Sequence, residues 1–337
     1  MSHLHIEIKE VKHPMALSVG NTGSLVAEVR RNGRFNGQHI LSVSQFDKDA
    51  IAYVFDVAEE YHHDGKKVAA LKPLQGYVLA NLFYEPSTRT SSSFMAAMQR
   101  LGGTVIPINE VKYSSVSKGE SLPDTVRTLE AYADVVVLRH YETGAAALAA
   151  KYAHKPIINA GDGIGEHPTQ ALLDLFTILR ERGTIDGLTI TMLGDLKYGR
   201  TVHSLARLTS LFNVKLNYVS PDSLRMPAEL IAQIGVPQTE LTDLHDVLAD
   251  TDVLYVTRIQ KERFTDDAHY DAVKNSYVIT AETMAQAKPT MTLMHPFPRV
   301  GEIHIDVDDD PRAAYFRQIE YGMYVRMALL AMVVGKA

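Results

Sequence analysis

The chain alternates between short, continuous apolar runs and longer segments in which apolar residues recur at helical spacing. Uninterrupted apolar runs such as residues 135–138 and 253–256 are typical of strands that a sheet buries on both faces. Strands of this kind that alternate with helices predict parallel sheets covered by helices, which is the α/β class. We therefore predict two α/β domains with parallel sheets, joined near residues 161–168.

The predicted elements cover most of the chain beyond residue 43. Strands are predicted at residues 78–84, 104–108, 135–138, 156–159, 188–193, 214–219, 253–256 and 291–294. Helices are predicted at residues 44–63, 87–101, 121–132, 145–152, 167–182, 200–212 and 311–334. Residues 1–38 contain scattered glycines and receive no firm assignment.

The composition is that of an ordinary globular protein, with 46% hydrophobic and 22% charged residues among 337. This length exceeds what one hydrophobic core usually serves, which again favours two domains. The net charge is −6, so we expect no nucleic-acid-binding surface. The absence of cysteine excludes disulfides and thiolate chemistry, and no pattern indicates a membrane span or a signal peptide. We expect a cytoplasmic protein.

Polar motifs recur where the predicted strands end, which is where parallel sheets bind ligands. The sharpest is Ser87-Thr88-Arg89-Thr90, which follows an apolar strand and opens a helix. The free N–H groups and the positive end of a helix start attract a phosphate, and an arginine fork adds to them. An ordinary helix cap is the alternative, because Ser and Thr are favoured caps. The arginine in the first turn favours an anion site.

Arginines follow predicted strands in a chain that is acidic overall, and they are Arg89, Arg139, Arg200, Arg258 and Arg299. Positive charge gathered in one crevice predicts a small, strongly anionic set of ligands. Arg200 opens a helix and suits a carboxylate, and Arg258 and Gln260 face one way if their segment is extended. For Arg139 alone, a surface charge at a strand end remains the alternative. Neither a Gly-x-Gly-x-x-Gly nor a Walker pattern is present, which disfavours dinucleotides and ATP.

Three further motifs are ambiguous when each is taken alone. His167 and Gln170 open a helix after a glycine-rich approach and could donate to a carbonyl and contact an amide, or His167 could simply cap the helix. The segment His295-Pro296-Phe297-Pro298-Arg299 could present backbone carbonyls to an amide, or be only a stiff turn. Lys118 lies in a polar loop, and by itself it would be interpreted as a surface lysine.

Taken together, these motifs resemble those of the aspartate transcarbamoylase family, within the aspartate/ornithine carbamoyltransferase superfamily. The similarity covers the chain from about His39 to its end. Residues 87–90 and 167–170 resemble the carbamoyl phosphate signature that transcarbamoylases share. Residues 194–204, 257–263 and 295–303 resemble the aspartate-specific members.

The resemblance implies a role for each matching position. Carbamoyl phosphate would be bound by Ser87, Thr88, Arg89, Thr90, Arg139, His167 and Gln170, and by the backbone carbonyls of Pro296 and Phe297. Aspartate would be bound by Lys118, Arg200, Thr201, Arg258 and Gln260. Lys118 and a serine at 114 or 115, most simply Ser115, would come from a neighbouring subunit of a homotrimer. The catalytic set would be Arg89, Thr90, Lys118, Arg139 and His167.

The implied reaction belongs to pyrimidine biosynthesis and needs neither a cofactor nor a metal. The aspartate amine would attack the carbamoyl carbon directly, without a covalent enzyme intermediate, and Arg299 with Glu302 would help to hold a closed form. The resemblance implies a carbamoyl phosphate domain at residues 39–166 and 315–337, an aspartate domain at 167–314, and a C-terminal helix packed on the first domain. A regulatory subunit or a dihydroorotase would be a possible partner.

Two alternatives compete with this interpretation. Ornithine transcarbamoylases carry a cysteine in the loop that matches residues 295–298, and this chain has none. A cationic substrate would also fit poorly against Arg200 and Arg258. A non-catalytic subunit would lack the implied catalytic side chains, whereas all of them are present here.

Overall fold

The fold is built from two parallel β-sheets. A computed structural model describes residues 34–109, 115–261, 266–274 and 276–337. The first sheet contains β1 (Val78–Phe83), β2 (Thr104–Ile108), β3 (Val135–His140) and β4 (Ile157–Asp162), in the order β2-β1-β3-β4. The second contains β5 (Thr189–Leu193), β6 (Lys215–Val219), β7 (Gln238–Leu241), β8 (Val253–Val256) and β9 (Thr292–Met294), in the order β7-β6-β5-β8-β9. Every pairing is parallel, so the predicted fold class is confirmed.

Helices connect these strands and cover the sheets. In chain order the first seven are α1 (Lys48–His63), α2 (Gly65–Leu71), α3 (Thr88–Arg100), α4 (Leu122–Glu130), α5 (Ala145–Tyr152), α6 (Pro168–Arg182) and α7 (Arg200–Thr209). They are followed by α8 (Ala228–Ile231), α9 (His245–Leu248), α10 (Asp267–Val273), α11 (Ala281–Gln286) and α12 (Tyr315–Val333). Single 3₁₀ turns occur at Val43–Gln45, Ser115–Lys118, Asp222–Leu224 and Ile305–Val307. No helix in the described ranges is both long and apolar enough to cross a membrane.

Each sheet has one point at which the strand order reverses. In the first sheet β1 and β3 are neighbours, while the chain leaves β1 towards β2 on one side and β3 towards β4 on the other. In the second sheet β5 and β8 form the same kind of junction. A crevice opens beyond the carboxyl ends of the strands at such a point. The sequence motifs at residues 87–90 and 200–201 therefore follow strands that border these two crevices.

Helices α6 and α12 join the two halves of the molecule. Eleven residues of α6 are buried, and α12 packs against α1, α3 and α6, which confirms the predicted return of the C-terminal helix to the first sheet. One apolar cluster runs from a face of the first sheet through these helices to the second sheet, and it includes Val137, Leu172, Leu329 and Met192. Closely packed interiors deform little, so side chains on α6 and α12 provide fixed points near the crevices.

The prediction differs from the structure most clearly at three elements. The edge strand β7 was missed because its residues are polar and only half-buried. Helix α2 was missed because the apparent stop at Asp64 and Gly65 is only a break between two helices. The last helix begins at Tyr315 rather than at residue 311, because Arg312 and Ala314 form backbone hydrogen bonds with Leu293 of β9. The predictions for residues 1–33 lie outside the described part of the chain.

Candidate active site

A cavity of about 580 Å³ lies beside the carboxyl ends of both sheets. It is lined from the first sheet by residues that follow β1 and β4 and by Arg139 near the end of β3, and from the second by residues that follow β5, β8 and β9. The predicted site residues that line it are Ser87, Arg89, Thr90, Arg139, His167, Gln170, Arg200, Thr201, Arg258, Gln260, Pro296 and Phe297. The two halves of the predicted site therefore face one shared space.

The start of α3 presents unsatisfied donors to this cavity. Ser87 occupies the cap position in an extended conformation, yet its side chain makes no capping hydrogen bond. Ser87 therefore does not form the ordinary side-chain helix cap, which was the alternative interpretation of the sequence. Thr90, in the first turn, is buried against the cavity, whereas Thr88 is exposed and is not among the lining residues. Free N–H groups and hydroxyls at the positive end of a helix form an anion site.

Four arginines, named here the arginine cluster, stand around the same space: Arg89, Arg139, Arg200 and Arg258. Glu85 is the one carboxylate among the described lining residues, and its Oε2 lies 3.3 Å from Nη2 of Arg139 and 3.7 Å from Nη2 of Arg200. Burial, and then the charge of Arg200, lowers the pKa of Arg139 to about 10. Burial, and then the charge of Arg258, lowers the pKa of Arg89. The cluster remains cationic at neutral pH and is suited to anions with more than one charge.

His167 occupies the N-cap position of α6 without a capping hydrogen bond from its side chain, and it is almost completely buried. Burial, followed by the charges of Arg200, Arg139 and Arg326, holds its pKa well below 6.5, so the ring is neutral at physiological pH. Its Nδ1 lies 3.4 Å from Oγ1 of Thr169. The close approach of this ring depends on Gly161, at φ +111°, where a Cβ would come within 3.3 Å of His167 and 3.1 Å of Arg200. A neutral imidazole acts through a hydrogen bond rather than through charge.

The loop after β9 is held by side chains on both sides. The backbone N–H of His295 donates to Oε1 of Gln318 at 3.0 Å. Nδ1 of His295 accepts from the N–H of Phe297 at 2.8 Å, so the ring carries its proton at Nε2, 2.7 Å from Oε1 of Glu302. The backbone N–H groups of His295 and Phe297 are therefore engaged within the protein, and Pro296 and Phe297 line the cavity.

The polar residues at or beneath the cavity that the sequence interpretation missed include Glu85, Ser93, Asp174, Gln318 and Arg326. Arg326 is a buried arginine in the apolar helix α12, and burial lowers its pKa to about 10. Its Nη1 donates to Oγ of Ser93 at 2.8 Å, and its guanidinium lies 5.3 Å from the ring centre of Phe94. A charged residue within an apolar helical run was the available signal, because burying an arginine is costly without a function or a partner.

Arg299 and Lys118 both lie outside this chain's cavity, and only the position of Arg299 differs from the prediction. The prediction that Arg299 joins the crevice is wrong: it does not line the cavity but pairs with Asp308 through two N–H groups and lies over the ring of Tyr315. This ion pair raises the pKa of Arg299 above its usual value. Lys118 is exposed in a 3₁₀ turn and does not line this chain's cavity. Ser114, the side chain of Ser115 and Arg263 lie outside the described residues.

Comparison with known proteins gives consistent matches along the chain. Residues 38–180 match the family model described as aspartate/ornithine carbamoyltransferase, carbamoyl-P binding domain, and residues 186–333 match its Asp/Orn binding domain. A multifunctional protein CAD of Squalus acanthias is 59% identical over 90% of this chain, but the chain spans only 14% of that relative's length. An aspartate carbamoyltransferase catalytic subunit of Thermococcus gammatolerans is 51% identical over 89% of this chain and 99% of its own.

Solved structures agree with the sequence matches. An aspartate transcarbamoylase of Trypanosoma cruzi, solved in complex with carbamoyl phosphate and aspartate, is 46% identical and superposes with a TM-score of 0.83. That superposition covers 89% of this chain and 98% of the other. Similarity of this extent covers both sheets and the cavity between them.

Proposed function

We propose that this chain, which belongs to the aspartate/ornithine carbamoyltransferase family, transfers the carbamoyl group of carbamoyl phosphate to the amine of L-aspartate. The products would be phosphate and N-carbamoyl-L-aspartate, in the committed step of pyrimidine biosynthesis. The observation that carries the proposal is the arginine cluster facing a helix start across one cavity. Two anionic substrates bound side by side require this arrangement, because each needs its own set of cationic and N–H donors.

The phosphate end of carbamoyl phosphate fits the start of α3. Ser87, Arg89 and Thr90 line that end of the cavity, and the N–H groups of the first helical turn add to their donors. We assign Thr88 to the same group through its backbone. As the bond to phosphate breaks, the leaving group gains charge beside Arg89, which lowers the barrier.

The carbamoyl group fits between the side of His167 and the carbonyls of the 295–297 loop. Arg139, Thr90 and the neutral His167 donate to its oxygen, on which negative charge grows during attack. Gln170 and the carbonyls of Pro296 and Phe297 accept from its NH₂ group. With both ends fixed, the carbon is presented to the attacking amine in one orientation.

Aspartate fits the side of the cavity formed by the second sheet. Arg200 and Thr201 at the start of α7 would bind one carboxylate, and Arg258 with Gln260 the other. The neutral amine then attacks the carbamoyl carbon directly, and no residue of the chain needs to form a covalent bond. A cationic amino acid such as ornithine would place its side-chain charge against Arg200 and Arg258, which disfavours it.

The assembly and the location in the cell form a second part of the proposal. We propose a cytoplasmic homotrimer in which Ser115 and Lys118 of one subunit complete the cavity of the next. The position of Lys118 supports this, because it is exposed and outside its own chain's cavity. We retain the domain boundaries 39–166 with 315–337, and 167–314. A regulatory subunit or a dihydroorotase is the kind of partner we propose, and the multifunctional relatives support it.

The reaction is tested by measuring phosphate released from carbamoyl phosphate by the purified chain. Release should require L-aspartate and should not occur with L-ornithine. Release with ornithine alone would make the chain an ornithine enzyme, and no release with either amino acid would indicate a non-catalytic chain.

The shared site is tested by mixing two inactive variants. Arg89→Ala and Lys118→Ala remove parts that the proposal places in one cavity but on different subunits. Hybrid trimers should therefore regain part of the wild-type rate, because some cavities combine an intact Arg89 with an intact Lys118. Well-formed hybrids without any recovery would contradict the shared site.

A further inference from the structure

Asp174 is a buried carboxylate on α6 that the proposed reaction does not use. It lies one helical turn after Gln170, and its exposed fraction is 0%. Oδ1 accepts from Nε2 of Gln170 at 2.8 Å and from Nε2 of Gln318 at 2.7 Å. Oδ2 accepts from the hydroxyl of Tyr255 on β8 at 2.7 Å. One carboxyl group therefore joins α6, α12 and the second sheet directly beneath the cavity.

The bond to Asp174 determines which atom Gln170 presents to the cavity. An amide side chain has a donor end and an acceptor end, and rotation by half a turn exchanges them. Because Oδ1 of Asp174 is an acceptor, it selects the NH₂ end of Gln170 and leaves Oε1 for the cavity. A carbamoyl group presents N–H donors at its amide end, so this oxygen is the atom it needs there.

Gln318 is oriented by the same carboxylate and transmits its effect to the 295–297 loop. Its NH₂ end donates to Asp174, so its Oε1 faces the opposite way and accepts from the backbone N–H of His295 at 3.0 Å. That bond holds the first residue of the segment whose next two residues, Pro296 and Phe297, line the cavity. Both sets of acceptors that we assign to the carbamoyl NH₂ therefore depend on one carboxylate.

We propose that Asp174 is a positioning residue that orients the Gln170 and Gln318 amides, and so sets the hydrogen-bond acceptors that recognise the carbamoyl NH₂ of the substrate. The proposal rests on the proposed function, because it assigns that end of the cavity to a carbamoyl group. Asp174 itself does not contact the substrate. The acceptor geometry at Oδ1, rather than the negative charge, is the property that matters.

The proposed role does not depend on the ionisation of Asp174. Burial raises the pKa of this carboxyl group to about 7, against which its three hydrogen bonds act. In the protonated form the carboxyl O–H can donate towards the Tyr255 oxygen, while Oδ1 still accepts from both amides. Arg326, the charged group on α12 that acts on Asp174, favours the ionised form.

The test compares three variants on the same helix. Asp174→Leu keeps the branched shape but removes the acceptor, so the Gln170 amide is free to reverse. Asp174→Asn keeps an acceptor oxygen that can face both amides. Thr177→Val is the matched control, because it removes another buried hydrogen bond of α6, from Thr177 Oγ1 to the carbonyl of Leu173, without touching either amide.

Steady-state kinetics and phosphate inhibition give the expected pattern. Asp174→Leu should lower kcat/KM for carbamoyl phosphate about 10- to 100-fold, as loss of an orienting partner typically does. Inorganic phosphate, which lacks a carbamoyl end, should inhibit this variant and the wild type within about twofold of each other. Asp174→Asn and Thr177→Val should stay within about threefold of wild type. If Asp174→Leu does not fold, Asp174→Ala gives the same comparison.

Three results would overturn the proposal. They are an unchanged kcat/KM in the folded Leu or Ala variant, an Asn variant as impaired as the Leu variant, and loss of phosphate inhibition in parallel with loss of activity. If the wild type itself proves inactive, calorimetric binding of carbamoyl phosphate and of phosphate to the wild type and to Asp174→Leu replaces the rates. A selective loss of carbamoyl phosphate binding would then support the positioning role although the proposed reaction had failed.

Discussion

The two polar regions of the cavity differ in how far the protein satisfies them. The arginine cluster gathers like charges, and within the described lining residues one glutamate opposes them. The floor, formed by Asp174, Gln170, Gln318 and Tyr255, is a closed set of hydrogen bonds in which each bond fixes the next. The cluster therefore carries unfavourable electrostatic energy that an anionic ligand relieves, whereas the floor is already arranged before a ligand arrives.

The two regions therefore have separate roles: the arginine cluster attracts anions, and the floor orients an uncharged group. Repulsion between Arg89 and Arg258 and the burial of Arg139 would be offset by the phosphate and carboxylate groups of the proposed substrates. The floor gives little attraction to an anion, but it holds acceptors still, which is what an uncharged NH₂ group requires. Substitutions in the cluster should therefore affect activity more than stability, and substitutions around the floor should affect both.

We expect the greatest loss of activity when an arginine of the cluster is removed. Arg89→Ala should lower kcat/KM by about 10²- to 10³-fold, because a preorganised donor to the leaving phosphate is lost. The unfolding midpoint in denaturant should stay the same or rise, since the substitution removes a charge that Arg258 repels. Arg100→Ala, at the other end of α3, is the control and should remain active. Near-normal activity of Arg89→Ala would contradict the role of the arginine cluster in binding the substrates.

A second prediction concerns how the stability of the protein depends on pH through Asp174 of the floor. The folded pKa of Asp174 is about 7 against 3.8 for an ordinary carboxyl, so between these values the folded chain keeps a proton that the unfolded chain has lost. Wild-type stability should therefore fall with rising pH relative to Asp174→Asn, by roughly 2 kcal/mol between pH 5.5 and 7. Denaturant unfolding of both proteins at several pH values measures this difference. A difference that is constant with pH would mean that Asp174 titrates normally.

The smallest effect concerns the packing that supports the floor. Gly322 of α12 faces α6, and a Cβ there would lie 2.8 Å from Cδ2 of Leu173 and 3.2 Å from Nη1 of Arg326. Gly322→Ala should lower the free energy of unfolding by about 1 kcal/mol, because overpacking outweighs the gain in helix propensity. Gly235→Ala, where a Cβ meets nothing within 4 Å, is the matched control. A Gly322→Ala protein more stable than wild type would show that α12 can move away without cost.

Much of the fold could be predicted because its signals are local. Apolar runs such as residues 135–138 have few other uses than a buried strand, and the helices between them follow the same logic. The arginine at the start of α3 could also be found, since a helix start after a strand is a recognisable place for an anion. The polar strand β7 escaped this reasoning because it lacks the apolar signal.

The floor could not be predicted because its partners are distant in sequence. Tyr255 and Gln318 lie 81 and 144 residues from Asp174, and nothing in their local sequence indicates that they meet. Arg299 shows the opposite error. Its position after a strand predicted that it lies in the cavity, but it donates a hydrogen bond to Asp308, nine residues later, instead. Local patterns identify which residues are chemically able to act, whereas the pairing of buried polar groups depends on the completed packing.

The packing of α12 has a consequence for how the protein becomes active during synthesis. Gln318, Ile319 and Arg326 are translated after all the other residues described around the cavity. A nascent chain that has already formed both sheets would still lack one amide of the floor and one buried cation. Catalytic competence should therefore appear only when this helix has left the ribosome, because a chain truncated before residue 315 lacks the hydrogen bond from the His295 N–H to Gln318 that helps to hold the 295–297 loop.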